Sequence, residues 1–422
     1  MDTKKKKHIG LSTKIFIALV TGGILGTVIH DMLPSGELRD VIIVEGIFYV
    51  IGQGFIRFMQ MLVVPLVFSS LICGSMAIGD SKTLGKVGLK TILFYLFTTA
   101  VAVIISLCIA YLINPGIGLE MELIQTGEVE DTTKTTLTET ILNIIPKNPI
   151  ASLASGDMLP IIVFAIFVGI ILARLENKSL AVADFFRGFN EVMMEMTTII
   201  MKAAPIGVFC LIARTFANLG FSAFRPMLKY IGSVTIALFI QCFLIYQLLL
   251  FAFTRLNPVK FIKKFIPVMG FAFSTATSNA TIPLSIETLE QKIGVSKQIS
   301  SFTIPLGATI NMDGTSIMQG VAVVFVAQAY GIELTPENLA AVIVTATLAS
   351  IGTAGVPSVG LVTLSMVLSS VGLPLEGIGL IMGIDRIIDM MRTAVNITGD
   401  AVCTTIIAVQ EKALDRNIFD EE

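Results

Sequence analysis

The chain has no tryptophan, two histidines and five cysteines, and charged residues make up only 14% of its 422 positions. Each scarcity excludes something. His8 and His30 lie far along the chain from every polar cluster, so no histidine-assisted nucleophile or histidine-based zinc site can be assembled. Cys73, Cys108, Cys210, Cys242 and Cys403 stand alone in apolar stretches without metal-ligand spacing, and read as small packing residues. Without tryptophan, an interfacial belt must rest on Tyr, Phe and snorkelling Lys or Arg. A net charge of −2 with no basic patch offers nothing for nucleic acid to bind. Soluble domains carry roughly 25% charged residues, and this chain falls well below that.

What is present is apolar sequence in long pieces. Hydrophobic residues make up 54% of the chain and the mean hydropathy is +0.85. Apolar runs of roughly 20 residues recur, the length an α-helix needs to cross a bilayer. The chain therefore reads as an integral membrane protein built on helices, with the lipid bilayer as its first partner. Spans are predicted over 11–33, 44–73, 85–113, 158–175, 186–218 and 226–255. The opening Lys4–Lys7 cluster precedes an apolar run over 15–28 that lacks a small-residue cleavage site. That pattern predicts a retained first helix with its N-terminus in the cytoplasm. The loop holding Lys82, Lys86 and Lys90 then falls on the same side. The loop 118–131, with Glu120, Glu122, Glu128, Glu130 and Asp131 and no Lys or Arg, falls outside. A multi-pass protein of the plasma (inner) membrane is expected.

The pattern changes after residue 257. The apolar signal of 258–293 is interrupted over 274–283 by Ser-Thr-Ala-Thr-Ser-Asn-Ala-Thr-Ile-Pro, and that of 339–373 over 350–358 by Ser-Ile-Gly-Thr-Ala-Gly-Val-Pro-Ser. Exposed coil cannot cross lipid, because each unsatisfied amide there costs several kcal/mol. Two half-length helices meeting at a polar tip solve that problem. Both breaks close on a small residue, an apolar residue and proline: Thr281-Ile282-Pro283 and Gly355-Val356-Pro357. Each is followed by a helix with a polar cluster, first Asn311-Met312-Asp313-Gly314-Thr315, then Asp389 to Asp400. Close packing at small residues explains one such break but not two with the same sequel. Repeated interrupted segments point to a transporter's binding site near the bilayer midplane.

The last helix, running from Leu375 past Ala401, carries Asp385, Asp389, Arg392, Asn396 and Asp400 at steps of four, three, four and four. They share one helical face. Charges at membrane depth are expensive and face a bundle interior or a water-filled cavity. A structural Asp389–Arg392 pair would need only two of the five. Arg392 offers a planar fork for a carboxylate, and Asp389, one turn earlier, suits an ammonium group. Half-helix N-termini at the hairpin tips favour anionic groups. Together these features describe an acidic amino acid. Gly314 is expected to let the backbone leave helical geometry, exposing carbonyls beside Asn311 and Asp313 as an oxygen cage for an alkali cation. Asp400 and Asn396, with carbonyls around Gly307, can build a second cage. Thr98 and Thr99, with Tyr95 one turn before, can add ligands or simply bond within their own helix. Asp385 has no assigned ligand and is given a structural or gating role.

The combination of TSNATIP, NMDGT, SIGTAGVP and DMMRTAVNITGD, in order across nearly the whole chain, resembles the dicarboxylate/amino acid:cation symporters, the glutamate transporter family, in its sodium-coupled prokaryotic branch. The resemblance implies an all-α integral membrane fold of eight transmembrane helices plus two re-entrant helical hairpins, with inverted repeats and elevator-type motion in a homotrimer. It implies scaffold parts over 1–75 and 120–220, and transport parts over 82–115 and 225–256. The transport core would cover 257–416 and a cytoplasmic tail 417–422, with the second hairpin as extracellular gate. The substrate would be held by Arg392 at its side-chain carboxylate and by Asp389 at its amino group. Asn396 and Ser278 would take the α-carboxylate, and Thr315, Thr393 and the backbone near Ala276, Val356 and Gly360 would line the site.

Sodium ions would be co-transported. One would use Gly307, Asn311, Asn396 and Asp400. A second would use the backbone around Thr309 and Met312 with Ser350, Ile351 and Thr353, and a third Tyr95, Thr98, Thr99, Asn311 and Asp313. The chain departs from the family pattern in three places. Ala276 and Met390 stand where many members carry a second arginine. Thr277-Ser278-Asn279 replaces a serine-rich tip. Gln319 replaces a glutamate of the potassium-exchanging animal transporters, so potassium countertransport of that type is not expected.

The expected activity is sodium-driven uptake of aspartate or glutamate, not an enzymatic reaction. Arg392 argues against the neutral amino acid branches and Asp389 against C4-dicarboxylates. The alternatives are a proton-coupled symporter for glutamate or C4-dicarboxylates and, in another class, an ion channel, in which the matched pair Asp389/Arg392 would have no use.

Overall fold

The computed structural model describes residues 11–79, 85–119, 145–156, 158–220, 224–351, 359–382 and 384–421. Among them there is no strand, only an isolated bridge between Val295 and Leu414. The first helices are α1 (Leu11–Met32), α2 (Tyr49–Gly79, entered through π-helical turns at Glu37–Phe48) and α3 (Gly85–Ile113). Next come α4 (Pro149–Ser155), α5 (Met158–Leu175), α6 (Leu180–Lys202) and α7 (Ala204–Leu219). A second long span is built from α8 (Phe224–Ile240), a π-helical turn and α9 (Tyr246–Thr254). The first hairpin is α10 (Pro258–Thr275) and α11 (Ser278–Thr288), followed by α12 (Lys297–Ile310) and α13 (Asp313–Ala329). The second is α14 (Pro336–Ser350) and α15 (Val359–Ser370), followed by α16 (Ile378–Met382), α17 (Asp385–Gln410) and α18 (Arg416–Asp420).

Local chemistry sets several boundaries. Asn257 caps α10 through its side-chain oxygen, with Pro258 in the first turn, and Thr335 with Asn338 forms a capping box ahead of Pro336 at the start of α14. The single span expected over 186–218 is instead two helices bent by 53° at Ala203. Pro205 lacks the amide hydrogen that would continue the ladder. The ten-residue break expected over 274–283 shrinks to Ala276 and Thr277. Ser274, Thr275 and Thr281 keep helical backbone and return their hydroxyls to the carbonyls of Gly270, Phe271 and Thr277. Polarity there marks a helix face, not coil. The tip itself turns on Ala276, a non-glycine residue at φ 51° whose N–H closes α10 onto Ala272 O. The second hairpin's tip, with Thr353 and Val356, lies outside the described residues.

The helices fall into two packed groups. In one, α2 packs against α5, α6 and α7, and α1 lies along α7. The α1–α7 seam rests on Gly22 and Gly26, where a Cβ would collide with the carbonyls of Phe209 and Ala213. In the other, α3, α8, α14 and α17 surround α13, while α9, α10, α11 and α12 pack on α17. The groups meet where α15 touches α2 and α16 touches α7.

Burial separates centre from rim. In its most apolar window the stretch Lys297–Ala329 is 100% buried, against 28% for Glu37–Phe58. The outer helices expose Ile24, Leu112 and Phe185 on their surfaces, as lipid-facing helices do. Among the described residues, four helical stretches are long and apolar enough to cross a bilayer, five if the bent α6–α7 pair counts as one. Shorter apolar helices accompany them.

Candidate functional site

Two largely buried helices, α13 and α17, carry the polar residues. α17 opens at Asp385, so the expected polar face sits on one continuous helix. The continuous run expected from Leu375 is interrupted between α16 and α17. Arg392 is 2% exposed and lies among the largest fully buried side chains of the molecule. Its Nε and Nη2 donate to Asp389 Oδ1 at 2.9 and 2.7 Å, and its Nη1 donates to Asp385 Oδ1 at 3.2 Å. The residue left without a ligand by sequence reasoning is thus the second partner of the arginine, two turns away. Gly360 on α15 lets the guanidinium lie against that helix, since a Cβ there would sit 2.5 Å from Arg392 Nη1. Thr393 returns its hydroxyl to Asp389 O at 2.7 Å.

One turn further along α17 the chemistry changes from charge pairing to oxygen donors. Asn311 Nδ2 donates to Asp400 Oδ1 at 2.8 Å and to Asn396 O at 3.0 Å. The Asn311 side-chain oxygen Oδ1 is buried without a hydrogen-bond partner among the described residues. Asn396 Oδ1 accepts from the Gly314 amide at 2.7 Å, and its Nδ2 points at Met312 Sδ at 3.3 Å. The helical break falls at Asn311 and Met312. Gly314 itself is helical, contrary to the expectation that it carries the break. Its hydrogen is required for another reason: a Cβ would lie 2.6 Å from Arg392 O and 2.8 Å from Arg392 Cα. That glycine is where α13 and α17 touch backbone to backbone. Gly307 plays a related part, because a Cβ there would strike the Asp400 carboxylate and the Tyr95 hydroxyl.

Asp313 accepts from Thr99 Oγ1 at 2.5 Å, Tyr246 OH at 2.7 Å and Gln241 Nε2 at 3.0 Å. Thr98 and Thr99 also bond to Tyr95 O within their own helix, and Thr99 in addition reaches across to Asp313. Asp313 and Asp400 are 0% and 2% exposed. Among the described residues, neither has a basic side chain within ion-pair distance. Of the four buried carboxylates on α13 and α17, those of Asp385 and Asp389 thus pair with Arg392, while those of Asp313 and Asp400 do not.

The other expected residues lie at or near this face. Thr315 is buried at the start of α13, and Ser278 and Ala276 are buried at the tip of the first hairpin, whose two arms pack on α17. Ser350 and Ile351 are buried at the end of α14, which meets α13 where Ser316 donates to Ala346 O. Thr309 is half-buried and bonds within α12. Sequence reasoning passed over Gln241 and Tyr246. A lone amide in an apolar span was the available signal, by the same burial-cost logic that exposed α17.

The chain matches the sodium:dicarboxylate symporter family over residues 11–410. It belongs to that family. It is similar to a proton/sodium-glutamate symport protein of Bacillus caldotenax, at 37% identity over 96% of this chain and 95% of the relative. A proton/glutamate-aspartate symporter of Escherichia coli (strain K12) is 36% identical over 98% of this chain and 95% of its own. A C4-dicarboxylate transport protein of Bacillus subtilis (strain 168) is 32% identical over 96% and 94%. The protein is a membrane symporter, then, and not an enzyme. In this symporter Gln319 donates to Thr363 Oγ1 at 2.8 Å and ties α13 to α15 in the second hairpin.

Proposed function

We propose that this symporter takes up aspartate and/or glutamate together with sodium ions, moving them by elevator-type alternating access in a homotrimer of the plasma membrane. The observation that carries the coupling is the pair Asp313 and Asp400, buried carboxylates without a basic partner among the described residues. An uncompensated buried charge costs several kcal/mol, and a cation joining these groups in the closed, loaded state offsets that cost. Asn311, Asp313, Asn396 and Asp400 supply hard oxygens of the kind sodium takes, together with carbonyls freed at the Asn311–Met312 break. Arg392 then reads the distal carboxylate of the substrate and Asp389 its amino group, with Asn396 and Ser278 at the α-carboxylate.

Coupling follows from connectivity. Asn396 is bonded to Gly314 and Asn311, so a cation that fixes Asn311 and Asp400 also fixes the helical turn that ends at Arg392. The packing of α3 and of α8 to α17 chiefly among themselves, with α1, α2 and α5 to α7 as a second group that meets them at α15 and α16, supports a mobile transport part against a fixed scaffold. Eight membrane helices with two re-entrant hairpins, and a cytoplasmic N-terminus, belong to the same reading.

Reconstituted protein tests it. Aspartate or glutamate uptake into liposomes is expected under an inward sodium gradient at equal pH, and to collapse when sodium is replaced by choline. Full uptake driven by a pH gradient alone would select the second reading, proton coupling. Buried carboxylates such as Asp313 and Asp400 could take protons instead, and the Escherichia coli relative's name includes proton coupling.

A further inference from the structure

The two oxygens of Asp313 are held in different ways. Oδ1 accepts from Thr99 of α3 at 2.5 Å, whereas Oδ2 accepts from both Tyr246 OH and Gln241 Nε2, at 2.7 and 3.0 Å. Thr99 has one hydroxyl hydrogen and a second acceptor within reach, Tyr95 O at 2.8 Å. It can therefore leave Oδ1 and still keep a hydrogen bond. Tyr246 OH donates to nothing else among the described residues. Gln241 Nε2 has two hydrogens, and the second acceptor near it is Thr98 O at 3.4 Å. Oδ2 is gripped, and Oδ1 is the oxygen that can be freed.

An irregularity in the α8–α9 span makes that grip possible. Gln241 and Tyr246 are five residues apart, and on an ordinary α-helix their side chains would point about 140° away from each other. The π-helical turn Gln241–Ile245 lies between them, and both side chains reach the same carboxylate oxygen. Such turns are rare and concentrate at functional sites. Both residues are fully buried. Tyr246 passes α17 at Gly399, where a Cβ would lie 2.5 Å from the Tyr246 hydroxyl and 2.6 Å from Asn311 Nδ2. The missing side chain leaves the room that the hydroxyl occupies, beside Asn311 on its way to Asp313.

We propose that Gln241 and Tyr246 are positioning residues for cation coupling: they fix Asp313 Oδ2 so that Oδ1 is presented to a sodium ion. Thr99 then turns its hydrogen to Tyr95 O and offers the ion a lone pair. The π-helical turn serves to set both donors on one oxygen. Neither Gln241 nor Tyr246 touches the ion or the substrate; both act through Asp313. The inference rests on the reading of Asp313 as a sodium ligand.

Sodium titration of the purified full chain, followed by melting temperature, and L-aspartate uptake after reconstitution test it, using wild type, Y246F, Q241L and Y230F. Y246F and Q241L should each raise the sodium concentration for half-maximal uptake about five- to tenfold. The maximal rate, and L-aspartate affinity at saturating sodium, should stay within about twofold of wild type. The sodium-induced rise in melting temperature should need correspondingly more sodium. Y230F removes a hydroxyl of the same span that has no hydrogen-bond partner among the described residues, and should leave the sodium dependence unchanged. Y246F, the milder change, decides the matter if Q241L does not fold. If the variants lower the ligand-free melting temperature or the maximal rate but keep the wild-type sodium dependence, their role is structural and the assignment falls. A Y230F shift as large as theirs overturns it too. If wild type responds to sodium in neither measurement, the sodium reading fails and the positioning role with it.

Discussion

Replacing Gly314 with alanine tests the central contact of the site. A helical glycine changed to alanine normally stabilises by about 0.4–1 kcal/mol, because the unfolded chain loses freedom. At Gly314 the added Cβ would lie 2.6 Å from Arg392 O, against at least 3.4 Å for ordinary contact. α13 and α17 must therefore separate by about 0.8 Å, the difference between those two distances. Overpacking of this kind costs about 1–3 kcal/mol. The same movement stretches the 2.7 Å bond from Gly314 N to Asn396 Oδ1 to the limit of a hydrogen bond. That adds about 0.5–1.5 kcal/mol. After the helix-propensity gain, a net loss of about 1–4 kcal/mol remains. Because Asn396 serves both ends of the polar face, sodium and substrate affinity should fall together, by about tenfold for each 1.4 kcal/mol. Thermal unfolding in detergent and calorimetric titration measure the two effects. Gly232→Ala on α8, where a Cβ meets nothing within 4 Å, is the control and should be neutral or stabilising. Gly314→Ala with wild-type melting temperature and wild-type affinities would refute the backbone contact.

Three further outcomes are expected. Arg392→Ala should abolish acidic amino acid binding and destabilise the protein by about 3–5 kcal/mol, since Asp385 and Asp389 lose the buried guanidinium they pair with; retained tight aspartate affinity in titration counts against the assigned role. Gly307→Ala should displace the Asp400 carboxylate and raise the sodium concentration for half-maximal uptake at least about fivefold, by roughly 1 kcal/mol, with little change in aspartate affinity at saturating sodium. An unchanged sodium dependence would remove Asp400 from the cation site. Ala276→Gly should raise the melting temperature, because a left-handed alanine costs about 1–2 kcal/mol that glycine does not; a lower melting temperature would contradict the φ of 51° at the hairpin tip.

Much of the site was legible in the chain because burial in a membrane makes polarity conspicuous. The periodic spacing of Asp385, Asp389, Arg392, Asn396 and Asp400 needed no tertiary information, since a helix in lipid must turn its charges to one side. The paired breaks likewise pointed to helix ends meeting at polar tips, because backbone amides cannot stay unsatisfied in hydrocarbon. The extent of each break was not legible. Serine and threonine bond back to their own helix as readily as they leave it, so 274–283 looked like coil and only Ala276 and Thr277 depart from helix. Gly314 was misread for a similar reason, as one-dimensional sequence cannot tell a glycine that turns from a glycine that lets another backbone approach.

The sequence by itself determined the medium, the helical class and which face of the last helix is polar, because each follows from local composition and period. Only tertiary structure decided who pairs with whom. Asp385 joins Arg392, Gln241 and Tyr246 cross from another span to Asp313, and Asp313 and Asp400 are left without a cation beside them among the described residues. Partnership depends on how helices distant in sequence are brought into contact, and the 3.6-residue period of a single helix carries no information about its neighbours.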